Sequence, residues 1–261
     1  MQRYSDRGWL LLLCTWSHIF CAQGIKVCHY QKMNGLTLRH WILLICSISV
    51  ISAVKWPRGT YTLVKPKSGC PSGWLQGWRY QDNEDDSNQN RVTYGHHFFG
   101  ISGSSPNYLN VSYCTKDLDD CNSEGHWPSG NYCILKHGNT CPIGAFRSGS
   151  VFWDDEDNNN INRAGGELPS GSFGRDTRIN YCCRNDGSYS TRIRLPKTKP
   201  FYLLRYTSYC QRVEGMYFRE ETVYTDDEDD NNINSVSGSH PFGPVSGGRN
   251  HKLYYCYYWS H

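Results

Sequence analysis

The sequence predicts an all-β single domain of three pseudo-repeats, stapled by disulfides, with a β-prism preferred and a β-trefoil as the alternative. Three observations predict it. An acidic run recurs three times at a constant spacing of 72 residues: DNEDDSNQN from Asp82, DDEDNNNIN from Asp154 and DDEDDNNIN from Asp226. An opening segment recurs as WPRGTYTLVKPKSGCPSG from Trp56, WPSGNYCILKHGNTCPIG from Trp127 and, with one inserted residue, LPKTKPFYLLRYTSYCQRVEG from Leu195. Each unit also closes on an apolar residue two places before a Tyr-Cys pair, at Cys114, Cys182 and Cys256. Self-similarity at fixed period sets an architecture, because one such unit cannot bury its apolar face alone. The predicted domain covers 54–261, with units of about 56–126, 127–194 and 195–261.

The 53 residues before it read as a leader. Their second apolar run, Trp41–Val54, follows Arg39 and ends in the small residues Ser52 and Ala53. That is the three-part pattern of a signal peptide, and it falls short of the roughly 20 residues of a membrane-spanning helix. Met33 gives an alternative start, from which a complete leader still follows. The formal charge of +3 belongs largely to this segment, since setting it aside leaves 22 basic and 23 acidic residues. A near-neutral domain has no electrostatic footprint for nucleic acid.

Within each unit the order of elements is legible. The opening segment carries an aromatic, an apolar pair and a base (Tyr61 to Lys65, Tyr132 to Lys136, Phe201 to Arg205), bounded by Pro and Gly, which reads as a short strand. After the cysteine comes a second aromatic strand: GWLQGWRYQ, GAFRSGSVFW and GMYFREETVYT. The acidic run follows, then a G-x4-G segment from Gly95, Gly166 and Gly238. These segments lack the Lys-Ser/Thr of a phosphate loop and read as hairpin loops carrying surface histidines. The closing strand ends the unit. With 25 Gly and 11 Pro beside 19 Tyr and 9 Trp, the composition favours short strands and tight turns over long helices.

The chain has 13 cysteines and no CxxC pair, which points to an oxidised, secreted domain rather than a zinc site. The simplest framework is one bridge per unit, Cys70–Cys114, Cys141–Cys182 and Cys210–Cys256, with Cys121–Cys133 pinning the first linker. Four of the 13 lie in the first 53 residues, and the nine of the domain cannot all pair. Cys183 is the expected leftover, although Cys182 and Cys183 could exchange roles.

The acidic runs carry two readings. Asp and Asn side chains bond backbone amides two residues on and tolerate left-handed dihedrals, so they build turns. Alternatively Asp155, Asp157 and Asn159, with Asp227, Asp229 and Asn231 at the same spacing, resemble the opening ligands of a calcium loop. The Gly and distal Glu of an EF-hand are absent. No cofactor is expected beyond that calcium. For sugar binding, Trp74, Trp78 and Trp153 are the candidate stacking residues; the competing reading places such rings in the core. Asn110, in Asn-Val-Ser, is a glycosylation acceptor. No carboxylate pair and no Ser-His-Asp or Cys-His nucleophile pattern stands out, and the chain is not expected to be an enzyme.

Several long strings coincide in order with one family. The opening WPxGxYxLxKPxxGCPxG, the paired DDED runs, INYCCRNDG from Ile179, LPKTKPFYLLR from Leu195, CQRVEGM from Cys210 and the closing LYYCYY together resemble the apextrin carboxy-terminal (ApeC) domain over residues 56–261. The resemblance implies a secreted, non-enzymatic protein of innate immunity that binds microbial cell-wall glycan such as peptidoglycan. The alternative it implies is an extracellular matrix or adhesion protein with a matrix glycan or protein as partner. No catalytic residue is carried over. More distantly, the unit is similar to vitelline-membrane outer-layer proteins, which share an Asp-Asp, Asn, Cys order in a β-prism.

Overall fold

Each third of the chain lays down an opening strand, a long second strand and a long closing strand. The computed structural model describes residues 54–84, 87–117, 123–228, 231–243 and 250–260. The expected leader, Met33, Cys121 and Asp229 lie outside the described residues. The first third holds β1 (Tyr61–Val64), β2 (Leu75–Asp82), β3 (Arg91–Val92) and β4 (Tyr108–Lys116). The second holds β5 (Asn131–Lys136), β6 (Arg147–Trp153), β7 (Arg163–Gly166), β8 (Gly171–Phe173) and β9 (Thr177–Asn185). The last holds β10 (Phe201–Arg205), β11 (Tyr217–Thr225), β12 (Ser235–Gly238) and β13 (His251–Trp259). Among the described residues there is no helix, so the all-β class stands; nor is there any helix long and apolar enough to cross a membrane.

Pairing follows one plan three times. The opening strand pairs with the closing strand, and the closing strand with the second: β1–β4–β2, β5–β9–β6 and β10–β13–β11, all antiparallel. The second strand then accepts a short strand from another third. β7 adds to β2, β12 adds to β6, and β3 adds to β11, so the exchange closes on itself. Through β1–β5 and β5–β10 the thirteen strands form one sheet network.

The glycines of the second strands make this exchange sterically feasible. At Gly77 a Cβ would come within 2.1 Å of the Glu167 carbonyl oxygen, and at Gly149 within 2.2 Å of that of Ser239. The loops at Gly166 and Gly238 press their backbones onto β2 and β6 there, with Glu167 N–H donating to Gln76 and Ser239 N–H to Ser148. Glu221 takes the same place on β11 and is buried. Its carboxylate holds the third loop instead, accepting from the His97 amide at 3.0 Å and bonding His97 Nδ1 at 2.6 Å.

The opening strands are buried on both faces, which explains their unbroken apolar runs. Successive side chains on a strand face opposite ways. Tyr61 and Leu63, Tyr132 and Ile134, Phe201 and Leu203 therefore fill one core with Trp56, Trp74 and Trp127. Val64, Cys133, Leu135, Tyr202 and Leu204 fill the other, with Val151, Trp153, Tyr181 and Tyr255.

That alternation also settles the cysteines. Cys70–Cys114, Cys141–Cys182 and Cys210–Cys256 are bridged in the first core. The expected Cys121–Cys133 bridge is corrected: Cys133 pairs with Cys183, the residue expected to be left over. Cys133 and Cys183 stand directly opposite one another in the β5–β9 register. Cys182, one place earlier, points to the other face and meets Cys141, so the neighbours cannot exchange roles. On the chain-entropy model, closing loops of this length stabilises by roughly 3–4 kcal/mol per bridge.

Candidate functional site

The three acidic runs meet and bond to one another in a ring. The Asp82 amide donates to Asn162 Oδ1 at 2.7 Å, that of Asp154 to Asn234 Oδ1 at 2.7 Å, and that of Asp226 to Asn90 Oδ1 at 2.8 Å. In return the carboxylates of Asp82, Asp154 and Asp226 accept from the amides of Ile161, Ile233 and Gln89 at 3.0, 2.8 and 2.7 Å. First run bonds second, second bonds third, third bonds first.

Each run is also a tight turn. Its sixth residue is left-handed, with φ of 59° at Ser87, 54° at Asn159 and 54° at Asn231. The side chains of Asn88, Asn160 and Asn232 donate back to the carbonyls of Glu84, Glu156 and Glu228, four places earlier. Asn tolerates that dihedral better than most residues, which accounts for its abundance here.

The second residue of each run, Asn83, Asp155 and Asp227, is fully buried. Asp155 accepts from Gln81 Nε2 at 2.6 Å, Thr177 Oγ1 at 2.5 Å and Asn162 Nδ2 at 2.8 Å. Burial pushes its carboxyl up to about 7, against the pull of those donors and of the Arg79 guanidinium. Asp227 accepts from Asn83, from Asn234, and from both the amide and Nδ1 of His251, the last at 2.6 Å. Burial raises it too, opposed first by His251. Arg79 occupies the core-facing place that Val151 and Val223 hold on the other second strands, with its guanidinium 5.2 Å from the Trp153 ring centre.

Apart from Asp229, the candidate calcium ligands differ in their surroundings. Asp155 is sealed among its own donors, Asp157 is exposed and pairs with Arg175, and Asn159 is exposed at the turn. In the third run Asp227 is likewise committed and Asn231 is exposed. Among the described residues no group of three or more His, Cys, Asp or Glu is set to hold a metal.

Of the three tryptophans, one is available. Trp74 is 6% exposed and packs against Trp56 and Tyr61 in one core. Trp153 is 1% exposed in the other. Both are corrected from ligand-binding to core residues: Trp153 sits where β6 faces inward, and Trp74, just ahead of β2, is packed among the rings of the first core. Trp78 is 41% exposed. On β2, Gly77, Arg79 and Gln81 turn to the core while Gln76, Trp78 and Tyr80 turn outward.

Trp78 belongs to an outward strip that β4 completes. The register sets Ser112 opposite Trp78 and Asn110 opposite Tyr80, and the rings of Tyr80 and Tyr108 stack at 4.4 Å. The Trp78 indole lies over Gly165 of β7, where an added Cβ would sit 3.2 Å from Nε1. Beside it opens a groove of about 420 Å³ lined by Lys65, Gln76, Trp78, Phe99, Asn110 and Ser112. Lys65 Nζ donates to Gln76 Oε1 at 2.7 Å and rests 3.6 Å from the centre of the Phe99 ring. Phe99 is 42% exposed and forms the opposite wall.

The loop that carries Phe99 is braced. Its amide donates to the Lys65 carbonyl, His96 bonds the Gly103 carbonyl at 2.9 Å, and His97 stacks on Tyr257 at 4.0 Å while held by Glu221. The sequence placed His97 in a surface loop but did not indicate its bond to Glu221. The only signal was Glu at a place where the other two units carry Gly. Both ring walls and the polar floor are thus fixed from the sheet, an arrangement that offers C–H stacking faces beside amide and hydroxyl groups.

Neither the curated proteins nor the solved structures provide a match. Residues 56–258 match ApeC, the C-terminal domain of apextrin. ApeC is not a known enzyme family, and the four disulfides are consistent with an extracellular protein. With the match spanning most of its length, this chain belongs to the ApeC family.

Proposed function

We propose that the chain is a secreted, non-catalytic recognition protein that binds microbial cell-wall glycan of the peptidoglycan kind. The observation that carries this reading is the outward strip of the first third, where Trp78 and Phe99 flank Gln76, Asn110 and Lys65. Sugar rings present apolar C–H faces edged by hydroxyl and acetamido groups, and an aromatic wall beside amides answers both. Trp78 supplies the stacking face, Phe99 the opposing wall, and Gln76 and Lys65 the polar contacts.

Retention on insoluble peptidoglycan tests it. The wild-type chain is expected to be retained with or without EDTA, and Trp78→Ala to lose retention while keeping its melting temperature. Failure of the wild type to bind, together with cross-linking to matrix preparations, would replace this reading with an adhesion role. Release of soluble sugar would make the protein an enzyme.

A further inference from the structure

The glycosylation triplet lies in the aromatic groove itself. Asn110-Val111-Ser112 is part of β4, and the alternation of that strand puts Tyr108, Asn110 and Ser112 on the outer face. Across the ladder stand Tyr80, opposite Asn110, and Trp78, opposite Ser112. The Asn110 side chain is half-buried in the groove wall, and its Oδ1 has no protein partner. Gly100, at φ 94°, passes so close that a Cβ there would meet the Asn110 carbonyl at 2.6 Å, so a glycine keeps this place beside Asn110 open.

We infer that Asn110 carries an N-linked glycan whose first acetamido sugars lie along Tyr80, Trp78 and Phe99, covering the groove from within the same molecule. In the transfer, the Nδ2 of Asn110 bonds to C1 of the first sugar of a lipid-pyrophosphate-borne oligosaccharide. The lipid pyrophosphate leaves, and one amide proton goes to solvent. Attachment precedes folding, so the burial of Ser112 in the finished sheet is no obstacle. The groove's dimensions fit this occupant: about 420 Å³ takes the innermost sugar beside Trp78, and the remainder extends into solvent. The strip would then be covered by a tethered ligand at high effective concentration, which a free glycan must displace. That regulatory consequence rests on the glycan-binding reading above; the covering does not.

The test uses the full chain secreted from eukaryotic cells. Mass spectrometry before and after peptide N-glycosidase is expected to show a glycan at Asn110, converted to Asp on release. Hydroxyl-radical footprinting is expected to show Trp78 labelled several-fold more after release, or in Asn110→Gln, than in the intact protein. Ser112→Thr, which keeps the triplet, should still carry the glycan. Enzymatic release from folded protein serves if Asn110→Gln fails to fold. An unmodified Asn110, or Trp78 labelled equally before and after release, overturns the inference. Retention on insoluble peptidoglycan should rise several-fold on release. If labelling rises but neither form is retained, the covering stands and the glycan-binding reading falls.

Discussion

The acidic ring and the aromatic strip stand a few residues apart on the same strand, and they invert what their composition advertises. Asp155 and Asp227 look like ligands waiting for a cation, yet their oxygens are consumed by side chains of the runs and of the strands that flank them. Trp78 looks like core, yet it is turned outward beside a groove. The difference is one of satisfaction rather than residue type. A buried carboxylate must find donors, so the ring closes on itself. An exposed ring has no such demand and remains open to a partner.

The comparison breaks most visibly if the ring is opened. Asp227→Ala leaves Asn83, Asn234 and the buried His251 without their acceptor, and a loss of about 3–5 kcal/mol is expected in urea unfolding. A loss under ~1 kcal/mol would mean that the ring holds nothing together.

Acidity should act on the ring with a definite sign. Asp155 is raised from 3.8 to about 7, so the folded state keeps a proton that the unfolded state has already released. Its contribution to stability is fully present below pH ~4 and is lost as pH rises through about 7, by up to about 4 kcal/mol. Melting temperature measured from pH 4 to 8 should therefore fall on this account. Asp155→Asn should flatten that slope, and an unchanged slope would assign it elsewhere.

Smaller effects are expected at the turns. Asn159→Ala and Asn231→Ala, each at φ 54°, should cost about 1–2 kcal/mol, whereas the Gly substitutions should be nearly neutral. Equal effects of Ala and Gly would remove the left-handed turn as the reason for these asparagines. Smallest in stability is Trp78→Ala, at ~1 kcal/mol or less, against about 3–5 kcal/mol for the buried Trp153→Ala. Chemical denaturation of the two variants separates strip from core directly.

Much of the fold was legible. The order of opening strand, second strand, acidic run, Gly loop and closing strand follows from turn residues and aromatic runs that recur in register. Three of the four bridges follow from equal Cys spacing. The fourth was not legible, because Cys133 meets Cys183 through strand register and not through proximity in sequence. For the site, Trp78 was named together with Trp74 and Trp153, and nothing local distinguishes the three. His97 was read only as a surface loop histidine, and Phe99 and Glu221 were given no part, since Glu221 on β11 meets that loop from over a hundred residues away.

What the sequence by itself determined is the alphabet of elements: strands where β-branched and aromatic residues run between Pro and Gly, turns where Asp and Asn cluster, cystines where cysteines close each unit. Those are short-range matters of dihedral preference and chain closure. What only the tertiary structure decided is which face each side chain occupies and which third supplies its neighbour. A strand alternates every residue, so one place separates a core tryptophan from an outward one, and Cys182 from Cys183. The cyclic exchange of β3, β7 and β12 then brings one unit's donors to another's carboxylates, which no window of sequence contains.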